Sequence, residues 1–389
     1  MKKIILLFTF VFSFTLVIGQ NTAVTNQNGD ANSGSQTQTG NLNDATIDQT
    51  SAIGANLGHL ATQEQIGIDN EASITQIGNG NSDVTASNEA TQEQEGDYNE
   101  ADLTQTGDNN TANQLITGHN NTANSTSIGN ETLSKTKING DWNEVDIEQV
   151  NGNGNRSSVN ITGNDNYVSN FQNGNINIET VLMTGNSSNN IVQLSTTGDQ
   201  NRNYWALHQS TNNDINVSIS GSENKNSGRI IGDDNDVDIE QMGNGNWVTE
   251  SGNPMDAQDG VRIIGDDNTA NINQTGNDNK GVIYQTGNDN HALFIQNGNL
   301  NSAKIVQTGD ENTTNLTQND GSVADILQQG NLNRVMGIGV DPMATSFDGS
   351  TLDIDQIGNS NTAHVQQTNA GNGIIMQMGN NNVSTIIQN

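Results

Sequence analysis

Residues 268–312 read NTANINQTGND (268–278), NKGVIYQTGND (279–289), NHALFIQNGNL (290–300) and NSAKIVQTGDE (301–311), and Asn312 opens the next copy. The phrase returns every eleven residues. The same spacing separates other glycines, namely Gly96, Gly107, Gly118, Gly129 and Gly140. Self-similarity at a fixed short period is the signature of a repeat architecture. The chain is therefore one unit copied many times, and its function should lie in what the stacked units form.

Each eleven-residue unit divides into a strand and a turn. Counting each repeat Asn as position zero, position two is Ala or Gly, position four is Ile or Phe, position six is Gln and position eight is Gly, whereas the odd positions vary. Alternation at period two predicts a strand with one specified face. The Gly-Asn-Asp stretches supply residues that favour tight turns. The pattern predicts an all-β fold, a cross-β β-solenoid with 11 residues per half-repeat, 22 per rung and about 16 rungs.

The specified face predicts how so polar a chain folds. Stacked strands lie about 4.8 Å apart, so each amide side chain lies above another and can both donate and accept along the stack. We expect an inward, self-assembling ladder of Asn43, Gln49, Asn70, Gln76, Asn99, Gln105, Asn268, Gln274, Asn279, Gln285, Asn290, Gln296, Asn301, Gln307, Asn361 and Gln367. We expect turn glycines at Gly40, Gly67, Gly96, Gly107, Gly276, Gly287, Gly298, Gly309 and Gly358.

Composition limits the other possibilities. Only 30% of the residues are apolar and 4% aromatic, too few for one large globular core. Such a composition is also typical of disorder, but a strict register over hundreds of residues with only two prolines opposes it. The formal net charge of −32 argues against nucleic acid as a partner. For the turn aspartates two interpretations stay open, solvation and calcium binding.

The N-terminus predicts export. Lys2 and Lys3 precede an apolar run that ends at Ile18, as in a secretory signal peptide. We therefore divide the chain into a signal peptide (1–19) and a repeat solenoid (20–389). The repeat phrase is lost in two segments, near 249–262 and 336–351, which hold the two prolines and are expected to be loop insertions.

Nothing in the sequence indicates catalysis. The five histidines are scattered, cysteine is absent, and no nucleophile or acid–base arrangement is recognisable. We therefore expect no catalytic residues, no metal site, no cofactor and no enzymatic activity.

The repeat resembles a known family. The unit Q-x-G-x-x-N-x-A-x-x-x-Q is similar to the curlin repeat, and complete copies start at Gln38, Gln65, Gln94, Gln285, Gln296 and Gln356. Curlin repeats form curli, the extracellular amyloid fibres of bacterial biofilms. The resemblance implies a homopolymer at the cell surface, a nucleator subunit and export through a dedicated outer-membrane pore. It leaves open whether this chain is the main subunit or a nucleator.

The sequence thus favours a secreted structural protein that assembles end to end into amyloid fibres for biofilm matrix and adhesion. The alternative is a monomeric solenoid that acts as an adhesin or an ice- or surface-binding protein. That alternative requires caps on the terminal strands, and the final repeat, residues 380–389, shows no distinct cap.

Overall fold

A computed structural model of the chain describes residues 20–52, 58–78, 87–249, 260–339 and 342–389. Within these ranges the regular elements are all β-strands. In chain order they are Thr22–Asn28 (β1), Ser33–Asn41 (β2), Asp44–Thr50 (β3), Leu60–Ile68 (β4), Glu71–Ile77 (β5), Glu89–Glu95 (β6), Glu100–Thr106 (β7), Thr111–Thr117 (β8), Thr122–Ile128 (β9), Leu133–Asn139 (β10), Glu144–Val150 (β11), Arg156–Asn164 (β12), Tyr167–Asn173 (β13), Ile178–Ser188 (β14), Ile191–Thr197 (β15), Arg202–His208 (β16), Asp214–Ser220 (β17), Lys225–Ile231 (β18), Asp236–Met242 (β19), Trp247–Val248 (β20), Val261–Ile264 (β21), Thr269–Thr275 (β22), Lys280–Thr286 (β23), His291–Asn297 (β24), Ser302–Thr308 (β25), Thr313–Asn319 (β26), Val323–Gln329 (β27), Arg334–Met336 (β28), Ala344–Ser346 (β29), Thr351–Ile357 (β30), Thr362–Gln367 (β31), Asn372–Met378 (β32) and Val383–Gln388 (β33).

The strands alternate between two parallel sheets. Sheet I has 17 strands, which are the odd-numbered strands from β1 to β19 and then β22, β24, β26, β28, β29, β31 and β33; sheet II has the other 16. Each strand pairs in parallel with the next strand of its own sheet, as β22 does with β24 and β23 with β25. The prediction of a β-solenoid with about 22 residues per rung is confirmed, with about 15 turns instead of the expected 16.

The two sheets are staggered by half a layer. The Gln49 side chain of β3 donates from Nε2 to the backbone oxygens of Ser33 and His59, at 3.1 and 3.0 Å. Ser33 opens β2 and His59 directly precedes β4, so β3 lies at a height between these two strands. The Gln65 side chain of β4 bridges Asp44 and Asn70 of sheet I in the same way. The inward side chains of one sheet therefore bind the layers above and below in the other.

Many of the turns contain two residues with positive φ. In the turn after β23, Gly287 has φ 114° and Asp289 has φ 56°. A Cβ on Gly287 would lie 2.2 Å from the carbonyl oxygen of Gly309, which belongs to the same turn one layer up. Glycine is needed here because it removes both the backbone strain and the clash between layers. The second left-handed position tolerates larger residues, and at Trp142 it carries an exposed indole.

Two layers are built from split strands. In sheet II, β20 and β21 together pair with β18, and in sheet I, β28 and β29 together pair with β26. Both splits fall at the middle of the strand, next to the two predicted insertions. Residues 250–259 and 340–341 of those insertions lie outside the described residues, so the loop assignment stays a prediction.

The predicted signal peptide, residues 1–19, also lies outside the described residues. Among the residues that are described, no helix could cross a bilayer.

The turn geometry generates a stability prediction. Gly287→Ala should lower the midpoint of urea unfolding, because left-handed backbone costs alanine about 1–2 kcal/mol and the overlap with Gly309 adds about 1–3 kcal/mol. Gly349→Ala is the matched control, since Gly349 also has a positive φ, of 76°, but a Cβ at that position would meet only open space. Equal shifts for the two variants would contradict the importance of close stacking at the turns.

Candidate functional site

The most regular feature of the interior is an asparagine column in sheet I. Asn290 donates from Nδ2 to Asn268 Oδ1 at 3.0 Å, and its own Oδ1 accepts from the backbone N–H and Nδ2 of Asn312 at 3.2 and 3.0 Å. Its Nδ2 also donates to the carbonyl oxygen of Gly309 at 2.8 Å, which ties the column to the turn. The column contains Asn21, Asn43, Asn70, Asn99, Asn121, Asn143, Asn166, Asn190, Asn213, Asn235, Asn268, Asn290, Asn312, Asn333, Asn361 and Asn382.

Glutamines form a second kind of column at position six. In sheet I, Gln274 donates to Gln296 at 2.8 Å and Gln296 donates to Gln318 at 2.9 Å. In sheet II, Gln285 donates to Gln307 and Gln307 to Gln328, both at 2.9 Å. The second hydrogen of each amide reaches a backbone carbonyl of the facing sheet, as the Gln296 amide does at Lys280. Most of these buried amides are thereby satisfied by their neighbours in the stack, as burial requires. An exception is the Oε1 of Gln285, which has no partner among the described residues because its neighbour in the column is Ile263.

The side chains predicted for the inward ladder lie in these columns, except for Asn279 and Asn301, which belong to a similar asparagine column on the side of sheet II. Each of the predicted side chains is buried, with at most 1% of its surface exposed. The Asn residues stand at position zero and the Gln residues at position six, on the same inward face. All of the predicted turn glycines have positive φ, between 86° at Gly298 and 136° at Gly67.

Sequence reasoning missed that the Gln column of sheet II is interrupted. Between Gln94 and Gln285 its place is taken by Ile116, Ile138, Ile161, Met183, Leu207, Ile230 and Ile263. In the middle of the solenoid this one column is therefore apolar, and its Gln segments lie on either side, whereas the asparagine column of sheet I continues throughout. Following position six through every second repeat would have revealed the change. Residues 268–312 do not show the change, because every copy in that stretch has Gln at position six.

Large side chains fit into the apolar column at position four because small residues lie beside them. Trp205 is fully buried, and a Cβ on Gly228, its partner one layer up, would lie 2.1 Å from the indole ring. Phe294 is also fully buried, and a Cβ on Gly281 would lie 2.0 Å from its ring. These two glycines have a packing role that their place in a strand did not suggest.

One ionisable group lies inside the core. Glu179 accepts hydrogen bonds from Thr196 Oγ1 at 2.6 Å and Asn203 Nδ2 at 3.3 Å, while its Oε2 has no partner among the described residues. Burial raises the pKa of Glu179 to about 8, against which the two hydrogen bonds act only in part. The side chain is thus a neutral acid at pH 7, held in a polar stretch of the interior.

The histidines lie in different environments of the solenoid. His59 is buried within the stack, where its ring Nδ1 accepts from the backbone N–H of Asn88, and burial lowers its pKa. His291 lies on the outer face of β24, and its pKa is also lowered by burial. In the described ranges no three His, Asp or Glu side chains are grouped as metal ligands. The chemistry that the interior offers is hydrogen bonding along the stack.

Comparison with known families agrees with this geometry. The curlin associated repeat family matches residues 85–113, which contain β6, β7 and the start of β8, and residues 265–293, which contain β22, β23 and the start of β24. Comparison with curated protein sequences gives no match.

Glu179 generates a pH prediction. The pKa of Glu179 is raised in the folded state, so ionisation of this side chain favours unfolding. Its contribution to the free energy of unfolding is fully present below pH 4.5 and is lost as pH rises through about 8. Glu179→Gln should remove this dependence, so that the variant unfolds at a higher temperature than the parent at pH 9 and at a similar one at pH 4. Glu144→Gln, on the exposed face of β11, controls for the loss of one negative charge. A parent chain whose pH profile matches that of Glu179→Gln would contradict the assigned burial.

Proposed function

We propose that this chain, a curlin-repeat protein, is the subunit of an extracellular amyloid fibre that grows when one solenoid stacks on the end of another. Curlin repeats and a β-solenoid fold both fit a structural subunit of the curli type. The observation that carries the proposal is that the amide columns reach both ends of the solenoid. Because the two ends carry the same columns, the edge of one molecule offers what the edge of another requires.

The terminal layers carry the same inward amides as the interior. At one end, β1 presents Ala23 and Gln27, with Asn21 before it; at the other, β33 presents Ser384 and Gln388, with Asn382 before it. The Gln27 amide already donates to Gln49, and the Gln367 amide to Gln388, so the glutamine column of sheet I runs up to the edge at both ends. Among the described strands, β1 pairs only with β3, and β33 only with β31. A second copy would extend the asparagine and glutamine columns of sheet I without a change in geometry.

The terminal strands also lack the charges that normally protect sheet edges. Proteins blunt exposed edges with lysine, other inward or edge charges, or proline. The strands β1, β2, β32 and β33 contain none of these residues. Outward positions of β32 are apolar instead, with Ile374, Met376 and Met378 all highly exposed. These edges favour the addition of another strand.

Location and partners belong to the same proposal. The predicted signal peptide supports export across the inner membrane, and the absence of cysteine in the chain means that assembly does not depend on disulfides. By analogy with the curlin family, we propose a cell-surface fibre in a biofilm matrix, an outer-membrane secretion pore and a nucleator subunit. The interior columns and the curlin repeats both support a structural role for the protein.

Assembly is tested by seeded and unseeded thioflavin-T kinetics on the chain from Gln20 onward, with fibre diffraction on the product. We expect a lag phase that seeds abolish and reflections near 4.7 and 10 Å. A β-rich monomer that never polymerises would contradict the proposal and point to a monomeric adhesin.

The terminal strand gives a sharper test. Ile386 points inward from β33 and packs against the core, whereas Thr385 beside it is exposed on the outer face. Ile386→Lys should slow elongation at least tenfold, because the incoming layer would bury an unpaired charge. Thr385→Lys places the same charge on the same strand and should leave the elongation rate within about twofold, since surface substitutions are close to neutral. Equal slowing by both variants would contradict growth through the inward columns.

A further inference from the structure

The outer face of sheet I is acidic along more than half of its length. From β3 to β19 its outward positions carry twelve carboxylates and no Lys or Arg. We call this surface the acidic face; its carboxylates are those of Asp44, Asp48, Glu71, Glu100, Asp102, Glu144, Asp146, Glu148, Asp214, Asp236, Asp238 and Glu240.

The outer face of sheet II has the opposite charge over its central strands. From β10 to β25 it carries nine basic side chains, and the only acid in these strands is Glu179, which is buried in the interior. We call this surface the basic face; its residues are Lys135, Lys137, Arg156, Arg202, Lys225, Arg229, Arg262, Lys280 and Lys304. Since the whole chain has 12 Lys and Arg and two of them are Lys2 and Lys3, most of its positive charge lies on this one surface.

Stacking makes the acidic face electrostatically unfavourable by itself. Burial, and then the neighbouring carboxylates of Asp238 and Asp214, raise the pKa of Asp236. The same causes act on Glu71, whose pKa is raised by burial and by carboxylates that include Glu100 one layer away. Like charges at layer spacing repel each other. A positively charged surface placed against this face would relieve that repulsion.

The basic face is ordered for such a contact. The Lys225 ammonium lies 4.1 Å from the centre of the Trp247 ring, and the Lys304 ammonium lies 5.5 Å from the centre of the Tyr284 ring. These cation–π contacts hold the charged groups close to the sheet surface. Both faces also repeat at the same strand spacing, about 4.8 Å. Rows of opposite charge on two solenoids can therefore run side by side in phase.

We propose that the basic face of one copy binds the acidic face of a second copy laterally, so that fibres associate side by side. The pairing rests on the proposed fibre, because a fibre repeats both faces along its length and many weak ion pairs act together. The two surfaces lie on opposite sides of the solenoid, so each fibre offers one face to each neighbour. Such a heterologous contact does not close, and it builds sheets or bundles instead of pairs.

The same molecule supplies both halves of this interface, which is why we favour a second copy over an acidic polymer as the partner. A polyanion would meet a chain with net charge −32, whose acidic face and turns repel it. The choice is nevertheless open to experiment, since heparin can serve as a probe for polyanion binding.

Charge reversal provides the test, on fibres of the chain from Gln20 onward. One variant changes Lys135, Lys137, Arg229 and Arg262 to Glu, and the other changes Glu144, Glu148, Asp236 and Asp238 to Lys. Lateral association is measured by low-speed sedimentation and by fibre width in electron microscopy, at low salt and at 0.5 M NaCl. Parent fibres should bundle at low salt and separate at high salt.

Each variant alone should lose at least tenfold in sedimented bundles at low salt while keeping its seeded growth rate. The acid-to-lysine variant is decisive, because it makes the chain less negative overall. If net charge controlled bundling, this variant would bundle more than the parent. If the basic face pairs with the acidic face, it will bundle less than the parent. Mixing preformed fibres of the two variants should restore bundles. The charge-conserving variant with Lys135→Arg, Lys137→Arg, Arg229→Lys and Arg262→Lys should bundle like the parent.

Three results would overturn the pairing. The first is bundles that persist in both variants, and the second is a mixture of the two variants that does not bundle. The third is a basic-to-glutamate variant that no longer binds heparin but bundles like the parent. The last would assign the basic face to a polyanion. A parent chain that forms no fibres would instead refute the proposed function, together with the lateral pairing that rests on it.

Discussion

The structure depends on one constraint, the satisfaction of buried side-chain amides along the stacking axis. An isolated buried Asn or Gln is costly, since each unpaired donor or acceptor loses its hydrogen bonds to water. A column removes that cost, as at Asn290, which is bonded to Asn268 on one side and Asn312 on the other. The same constraint makes the terminal layers incomplete, because the last amide of a column has a partner on one side only. Folding and polymerisation thus follow from a single interaction.

Much of this could be predicted from sequence because period two and period eleven are both visible in it. The first places Asn279 and Gln285 on one face, and two steps of the second place their equivalents, Asn301 and Gln307, in the next layer of the same sheet. The charged surfaces could not be seen in the same way. Eleven residues separate consecutive strands, but those strands belong to opposite sheets, so the charges of a sheet are found only by following every second repeat. Lys280 and Asp236 both look like variable outward positions until the sheets are separated.

Local exceptions were also hidden from sequence reasoning, and each has a physical cause. Glu179 stands at a position that is small or apolar in the repeats around 268–312. Burial favours its neutral form, and its carboxyl group accepts hydrogen bonds from Thr196 and Asn203, which come from other strands. Gly228 makes room for Trp205, a contact between layers that no local pattern announces. These features depend on which residues of neighbouring layers contact each other. Those pairs are hard to read from the sequence wherever the repeat length departs from eleven.

The central claim is that each molecule contributes a stack of layers to the fibre and that stacking continues across the junction. Mass per length of single filaments, measured by scanning transmission electron microscopy at a salt concentration that separates bundles, tests this most directly. With about 15 layers per molecule, we predict one chain per roughly 70–75 Å of filament. A value near one chain per 4.8 Å would mean that each molecule lies flat in a single layer, and it would contradict the solenoid as the unit of assembly.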